Sequence, residues 1–371
     1  MLTNKKILLI ATTDNMIWQF LIPHINHLQQ LGNVVECACD KTGFWFNELK
    51  DKYNFKMHQI PFARNPLSLK NIKGYNQLKK LQKQENYDLV YCQQPVGGLM
   101  GRLIAKKFKI PCIYTAHGFH FFKGNSKLKN FIFKNVEKYL SKFTDSLITI
   151  NEEDYQAALK FKAKKVYKIN GIGFDSNKYH EKQRTRQEVR SELGLKDEFT
   201  IITVAEFIKR KNYDTMLKTI AELKNQNIKF VVCGAGRDQE EIEAQIKELG
   251  IEDKVNLLGY RKDVNNILMA SDAFFLPSHQ EGLTLSIIEA LNFGLPVITS
   301  NVRGNKDLIE DGRGGFVCEP NDYKTFAEKI KLLIADKDLQ KQMSKINKTN
   351  ASIYSIVNVK KELEEIYKNI E

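Results

Sequence analysis

Short apolar runs alternate with longer amphipathic stretches from Lys6 to about residue 170, and after a polar, highly charged interval the alternation begins again and continues to Ser300. In the first series KILLIAT, VVECACD, LVYCQQP, PCIYTAHG and SLITINE read as strands, with helices over Trp18–Leu31, Phe44–Tyr53, Leu69–Asn86 and Gly97–Phe108. In the second, TIITVAEF, KFVVCGAG, VNLLGY, AFFLPS and PVITS read as strands, with helices over Asn212–Lys224, Gln239–Leu249, Val264–Ala270 and Leu285–Asn292. Helices placed between strands favour parallel pairing through crossovers, so each series specifies a doubly wound sheet. A chain of 371 residues is long enough for two separate cores. The sequence therefore predicts an α/β protein of two Rossmann-like domains, residues 1–170 and 171–354, facing across a cleft at the carboxyl ends of their strands, where open α/β sheets bind ligands. Asp175–Lys196 reads as a linker followed by a short helix, and Val357–Ile370 is helical by period.

The net charge of +13 is unevenly placed. Residues 1–170 hold 27 Lys+Arg against 12 Asp+Glu, a balance of +15, whereas residues 171–371 hold 30 against 32, a balance of −2. The first half is therefore expected to face something anionic, either a membrane surface or a phosphate-bearing acceptor. The six cysteines, Cys37, Cys39, Cys92, Cys112, Cys233 and Cys318, are scattered, and the one close pair, Cys37 and Cys39, fits neither a zinc knuckle nor a redox pair. Buried, reduced thiols in a cytoplasmic protein are expected. No apolar run reaches the roughly 18 residues a membrane-spanning helix needs. The start MLTNKKILLIATTD turns polar after a short apolar stretch, so Lys6–Ala11 reads as a first strand and not as a signal peptide. No short-period repeat or low-complexity segment is present, which argues against solenoid and disordered classes.

The segment SHQEGLTLSIIEALNFGLPVITS carries the chemistry. A strand ends at Leu276–Ser278, the chain turns at Glu281 and Gly282, and a helix begins at about Thr284. A turn into a helix N-terminus presents unpaired N–H groups and the positive end of the helix dipole, so Gly282, Leu283 and Thr284 are placed to hold a diphosphate. Carboxylates there would repel phosphate, so they are expected to engage neutral hydroxyls beside it. Glu281 suits the hydroxyls of a donor sugar and Glu289 a ribose diol, since a carboxylate accepts from two adjacent hydroxyls.

Two glutamates separated by seven residues, EGLTLSIIE, followed by AL-x-x-GLPVI, resemble the donor-site motif of the retaining glycosyltransferases of family four, which have the glycosyltransferase-B fold. The likeness extends over nearly the whole chain. GAGRDQ, from Gly234, resembles the family's nucleotide-site loop. LGYRKDV resembles the loop that contacts the nucleobase, with Tyr260 or Arg261 at its edge, and VRGNKDLIEDGRGGFVCEPND its closing segment. The family's cations for the diphosphate, an arginine and a lysine five residues later, fall on AEFIKRKN: Lys211 matches the lysine, while Glu206 stands where the arginine is common. Either Lys209 or Arg210 supplies the second charge, or one cation and the helix dipole suffice. His117 in TAHGFHFFKG resembles a family histidine facing the donor sugar, and His120 is a candidate acceptor contact. The loop Thr12–Asn15 reads TTDN where relatives often have a glycine pair, which leaves Asp14 and Asn15 as candidates for an acceptor or loop role. The resemblance also implies that the last helix crosses back to the first domain.

With no Asp-x-Asp element at a strand end and no histidine cluster, no metal or other cofactor is expected, and leaving-group charge would fall to Lys211, the glycine turn and the helix N-terminus. The resemblance implies a UDP-sugar donor, a hexose or N-acetylhexosamine as the moiety transferred, and a lipid-linked (undecaprenyl-diphosphate) glycan acceptor of bacterial capsular or exopolysaccharide synthesis. It further implies a place at the inner face of the cell membrane. One stretch bears on that location. HFFKGNSKLKNFIFKNVEKYLSKF sets Lys123, Lys127, Lys129, Lys134, Lys138 and Lys142 against Glu137 alone, with apolar residues at three- and four-residue spacings. Such a basic amphipathic helix either packs its apolar face on the sheet, contacts anionic lipid, or does both.

Three rivals stand against this reading. A non-hydrolysing UDP-N-acetylglucosamine 2-epimerase shares the two-domain architecture without the EGLTLSIIE helix. A nucleic-acid-binding protein explains the basic half but not the motifs of the second, so no nucleic-acid partner is expected. A catalytically inactive regulatory relative would account for Glu206 and TTDN.

Overall fold

The computed structural model describes residues 2–43, 45–175 and 184–370. The chain divides into two compact units, Met1–Gly173 with Ile356–Glu371, and Phe174–Ser355.

The first unit is built on a seven-stranded sheet of order β3-β2-β1-β4-β5-β6-β7. Its strands are β1 (Lys6–Thr13), β2 (Val34–Asp40), β3 (Lys56–Gln59), β4 (Leu89–Gln93), β5 (Cys112–Ala116), β6 (Ser146–Thr149) and β7 (Lys165–Lys168). All neighbours pair in parallel. Central strands covered by helices on both faces must be apolar throughout, and β1, β4 and β5 are buried along nearly their whole length. The helix Ile356–Tyr367 belongs to this unit, where Tyr367 is buried edge-on to Tyr91.

Helix formation in this unit begins earlier than the sequence suggests. The TTDN segment is not a free loop: Asp14 already lies in helix, and a π-helical turn at Ile17–Leu21 leads into the helix Ile22–Gln30. The unit also has the short strand β3 and the helix Glu152–Ala158, which hydrophobic patterning does not reveal. The basic helix runs over Lys127–Leu140; Leu140 is buried and Phe133 packs against the core, while Leu128, Phe131, Ile132, Val136 and Tyr139 stay exposed on the side away from it.

The second unit has a six-stranded parallel sheet of order β10-β9-β8-β11-β12-β13. Its strands are β8 (Phe199–Val204), β9 (Ile228–Cys233), β10 (Val255–Leu257), β11 (Ala273–Leu276), β12 (Val297–Ser300) and β13 (Gly315–Cys318). Its core includes Phe230, Phe274, Phe275 and Phe326, all fully buried. The helices Gln239–Leu249, Val264–Ala270 and Leu285–Asn292 occupy the residues the hydrophobic period marks. The expected linker falls in part on residues 176–183, outside the described residues. The short helix after it is Arg186–Glu192, closed at its start by a capping box between Thr185 and Glu188. All six cysteines are free and buried, and burial raises the thiols of Cys37, Cys39, Cys112, Cys233 and Cys318 above their ordinary range. Cys92 and Cys112, on adjacent strands, have their sulfurs 3.8 Å apart, a proximity that sequence spacing conceals.

Candidate active site

In an open parallel sheet, ligands bind at the carboxyl ends of the strands where the strand order reverses. In the second unit that point lies between β8 and β11. The segments leaving these two strands, Ala205–Asn212 and Pro277–Glu281, are clipped together. His279 N donates to Arg210 O at 2.9 Å, and Asn212 Nδ2 donates to Pro277 O at 2.9 Å and Pro320 O at 2.7 Å. Asn212 holds a left-handed conformation, φ 61°, which asparagine tolerates better than most residues.

This clip brings together side chains 70 residues apart in sequence. Lys211 Nζ lies 2.7 Å from Glu281 Oε1, and Arg210 Nη1 lies 2.8 Å from Glu281 Oε2. Arg210 also donates to Gln280 O at 2.7 Å. Glu281 and Lys211 are buried, and a buried charge requires a partner. Burial by itself raises the Glu281 pKa, but Lys211 and then Arg210 outweigh it and hold the carboxyl below its ordinary range. This departs from the expectation that Glu281 faces neutral hydroxyls alone, since each carboxylate oxygen already takes a cationic donor. The second-cation alternatives are separated as well. Lys209 turns away to pair with Glu241, Glu206 is exposed, and Arg210 joins Lys211.

Beyond Glu281 the chain turns at Gly282 and enters the helix Leu285–Asn292, with Thr284 at its N-cap. The Thr284 hydroxyl is spent on Asn305 Oδ1 at 2.6 Å, and Asn305 Nδ2 donates to Thr299 Oγ1 at 2.9 Å. Gly304, with φ 82°, lies against this turn so closely that a Cβ there would stand 2.3 Å from Gly282 O. Arg303, buried, donates from Nε to Glu281 O at 3.1 Å. Arg303, Asn212 and Asn305 are site residues that sequence reasoning passes over; the motif VRGN carries two of them without showing which way they point. Glu289 lies half-buried in the second turn of the helix.

The other expected donor residues are less uniform. Gly234 is required by packing, since a Cβ there would fall 1.9 Å from Ala205 O. Tyr260 is 76% exposed beyond β10. The Arg261 guanidinium is already engaged by Asp263 at 2.8 and 2.7 Å and by Glu192 at 3.3 Å.

In the first unit the order reverses between β1 and β4. Gln94, held at φ 62°, accepts from Thr12 N at 2.9 Å, and Thr12 Oγ1 accepts from Gly97 N at 3.1 Å. His117, just past β5, has Nε2 2.7 Å from Gln93 Oε1. An amide oxygen only accepts, so Nε2 carries the proton and Nδ1 is the acceptor. Burial, and secondarily His24, push the His117 pKa down to about 4, so the ring is neutral near neutral pH. His120 is exposed and meets Phe133 edge-on.

Asp14 must be corrected. It is fully buried, and its oxygens accept from Thr42 Oγ1 at 2.5 Å, Phe46 N at 3.1 Å and Asn15 N at 2.9 Å. It caps the helix Trp45–Lys52 and has no face to offer an acceptor. Asn15 is half-buried beside it. Among the described residues no group of three or more His, Cys, Asp or Glu side chains is arranged to hold a metal ion.

Residues 185–350 match the family model Glycosyl transferases group 1, and residues 6–151 match Glycosyl transferase 4-like. EpsD of Bacillus subtilis (strain 168), a protein bearing the glycosyltransferase name, is 31% identical over 98% of this chain and 96% of its own length. The UDP-Gal:alpha-D-GlcNAc-diphosphoundecaprenol alpha-1,3-galactosyltransferase of Escherichia coli is 30% identical over 82% of this chain and 81% of its own length. The chain belongs to the group 1 glycosyltransferases, and it is a glycosyltransferase. Among solved structures, Anabaena HepE in complex with UDP and glucose superposes with a TM-score of 0.83 over 98% of this chain and 100% of its own, at 19% identity, which places the fold in the glycosyltransferase-B class.

Proposed function

We propose that the protein transfers a hexose or N-acetylhexosamine from a UDP-sugar, with retention of anomeric configuration, to an undecaprenyl-diphosphate-linked glycan in capsular or exopolysaccharide synthesis, working at the inner face of the cell membrane. The observation that carries this reading is the Lys211–Glu281–Arg210 cluster at the strand-order reversal, next to the N-terminus of Leu285–Asn292. Two cations against one acid give an excess of positive charge where helix N–H groups also converge, which suits a diphosphate whose charge grows as the glycosidic bond breaks. No metal is assigned a step. Lys211 and Arg210 stabilise the leaving diphosphate together with the N–H groups of Gly282–Thr284, Glu281 orients Lys211 and meets the donor sugar, and Glu289 takes the ribose diol. His117, neutral with Nδ1 as acceptor, receives a hydroxyl hydrogen from sugar and is no phosphate clamp at neutral pH. Asn15 and His120 remain the acceptor-side candidates.

Support for the donor comes from the UDP-Gal in the name of the Escherichia coli relative and the UDP bound to HepE. Support for the acceptor comes from the diphosphoundecaprenol in the same relative's name. A thermal-shift panel of UDP, GDP and UDP-sugars tests the donor, with UDP and one UDP-sugar expected to stabilise and GDP not. Glu289→Ala is expected to abolish both the shift and turnover; full activity with saturable UDP-sugar in that variant would sink the assignment.

A further inference from the structure

The helix Lys127–Leu140 packs Phe133 and Leu140 inward and leaves a second apolar stripe uncovered. Leu128 is 68% exposed, Phe131 69%, Ile132 48%, Val136 44% and Tyr139 47%. Single exposed hydrophobes are ordinary, but five on one helix form a patch that marks an interaction surface. The charge is equally one-sided, because the helix's one acid faces inward. Glu137 receives both ends of the fully buried Arg102 guanidinium, at 2.7 and 3.3 Å, and Arg102 in turn lies 4.0 Å over the Tyr114 ring. The outward surface thus offers lysines and hydrophobes and no acid.

Beyond the last turn of this helix opens a pocket of about 550 Å³ at the amino ends of β5, β6 and β7, the opposite edge of the sheet from His117. Lys106, Lys109, Lys142, Lys164 and Lys165 line it together with Asp145. Asp145 is taken by Lys164 at 2.5 Å, so four lysine charges remain uncompensated by any acid of the lining. The pocket and the helix are joined through Tyr139 and Phe143. Lys106 Nζ lies 3.0 Å from the Tyr139 hydroxyl and 4.5 Å over the Phe143 ring, and Lys142 lies 5.6 Å over Tyr139.

Lysine is depleted in protein–protein interfaces, whereas lysine with phenylalanine and leucine on one helix is the composition of a helix lying in a bilayer interface. We propose that this face is a two-part dock for an anionic bilayer. The helix lies in the interface with Leu128, Phe131 and Ile132 inserted, and the lysine pocket seats the phosphate headgroup of one anionic lipid beside it. The proposal deepens the membrane location given under Proposed function and is independent of the donor site.

The test is co-sedimentation with phosphatidylcholine vesicles, with and without phosphatidylglycerol. All substitutions sit on exposed side chains, and the UDP thermal shift serves as the folding control for each. Wild type is expected to bind only the anionic vesicles, and Phe131→Ser/Ile132→Ser to lose that binding. Lys109→Gln/Lys142→Gln is expected to weaken the partition about 25-fold, roughly fivefold for each lysine near the surface. Lys80→Gln/Lys83→Gln, on the helix Leu69–Glu85, removes the same charge elsewhere and is expected to leave binding nearly unchanged. Equal losses in the two lysine pairs would reduce the pocket to general charge and overturn it as a headgroup site. Binding of inorganic phosphate to the pocket without vesicle binding would overturn the dock. Absent vesicle binding with an intact UDP shift would remove the dock and spare the donor reading.

Discussion

The carboxyl edges of the two sheets are built from opposite materials. In the second unit the edge is charged, with buried Lys211 and Glu281 and the partly exposed Arg210 locked together and the carbonyl of Glu281 held by Arg303. In the first, the stretch around the reversal is neutral, with amides and hydroxyls of Thr12, Gln93 and Gln94 about a neutral His117, and the acids farther along the edge are already engaged, Asp40 by Lys70 and Asp154 by Phe119 N. Asp14, which follows β1, is spent inward on a helix cap. A charged edge suits a ligand that carries charge of its own, and a neutral edge suits one that presents hydroxyls. The contrast follows the proposed division between nucleotide donor and glycan acceptor.

The sharpest way to break the contrast is Lys211→Met. It leaves Glu281 with Arg210 alone, and loss of one charge-assisted hydrogen bond in a buried setting costs about 1.5–3 kcal/mol. A lower melting temperature and loss of turnover are expected together. An unchanged melting temperature would mean that the cluster is no more cohesive than the neutral edge.

Acid probes the neutral edge. Burial lowers His24 and His117 to about 4, against about 6.5 in an unfolded chain. Between those values the unfolded state binds more protons, so stability is complete above about pH 6.5 and declines as pH falls toward 4. The slope reaches about 1.4 kcal/mol per pH unit for each histidine. Denaturant midpoints measured across this range should fall with acid, and His24→Phe should flatten the curve. A flat wild-type curve would contradict the enclosure of both rings.

Asp14→Ala is expected to cost about 1–2 kcal/mol, the value of a good N-cap, with the UDP thermal shift intact. Loss of UDP binding in that variant would tie the two edges more closely than their chemistry implies. The smallest effect belongs to Lys209→Gln. Lys209 and Glu241 are both largely exposed, and such pairs contribute roughly 0–1 kcal/mol. Titration calorimetry should show UDP affinity unchanged, and a large loss would return Lys209 to the diphosphate.

Alternation with strands makes Gln239–Leu249, Val264–Ala270 and Leu285–Asn292 legible to the residue, whereas the longer helices Tyr323–Ala335 and Lys337–Ala351 follow the last strand without a strand between them and go unread. It fails for β3, whose KMHQ is no apolar run, and for β13, whose GFVC lies inside a stretch marked by its motif and not by alternation. It fails again at Asp14, because TTDN has turn chemistry while the backbone N–H of Phe46, which recruits the acid into a helix start, is far off in sequence. Glu281 can be found from its motif, but its partners are set by which strands stand side by side, and strand order is a property of the sheet. The uncovered side of Lys127–Leu140 is hidden for a related reason, since a hydrophobic period reports a face without saying what covers it.

The mutual pairing of Lys211, Arg210 and Glu281 has a consequence for how the protein tolerates change. Because the buried Glu281 carboxylate is held by these cations in the fold itself, substitution of Glu281 or Lys211 harms the folded population as well as turnover. In a library scored only on activity in cells, variants at these positions will appear inactive chiefly because they are scarce. A screen that records abundance alongside activity will separate this cluster from Glu289, whose loss is expected to silence the enzyme while leaving it plentiful.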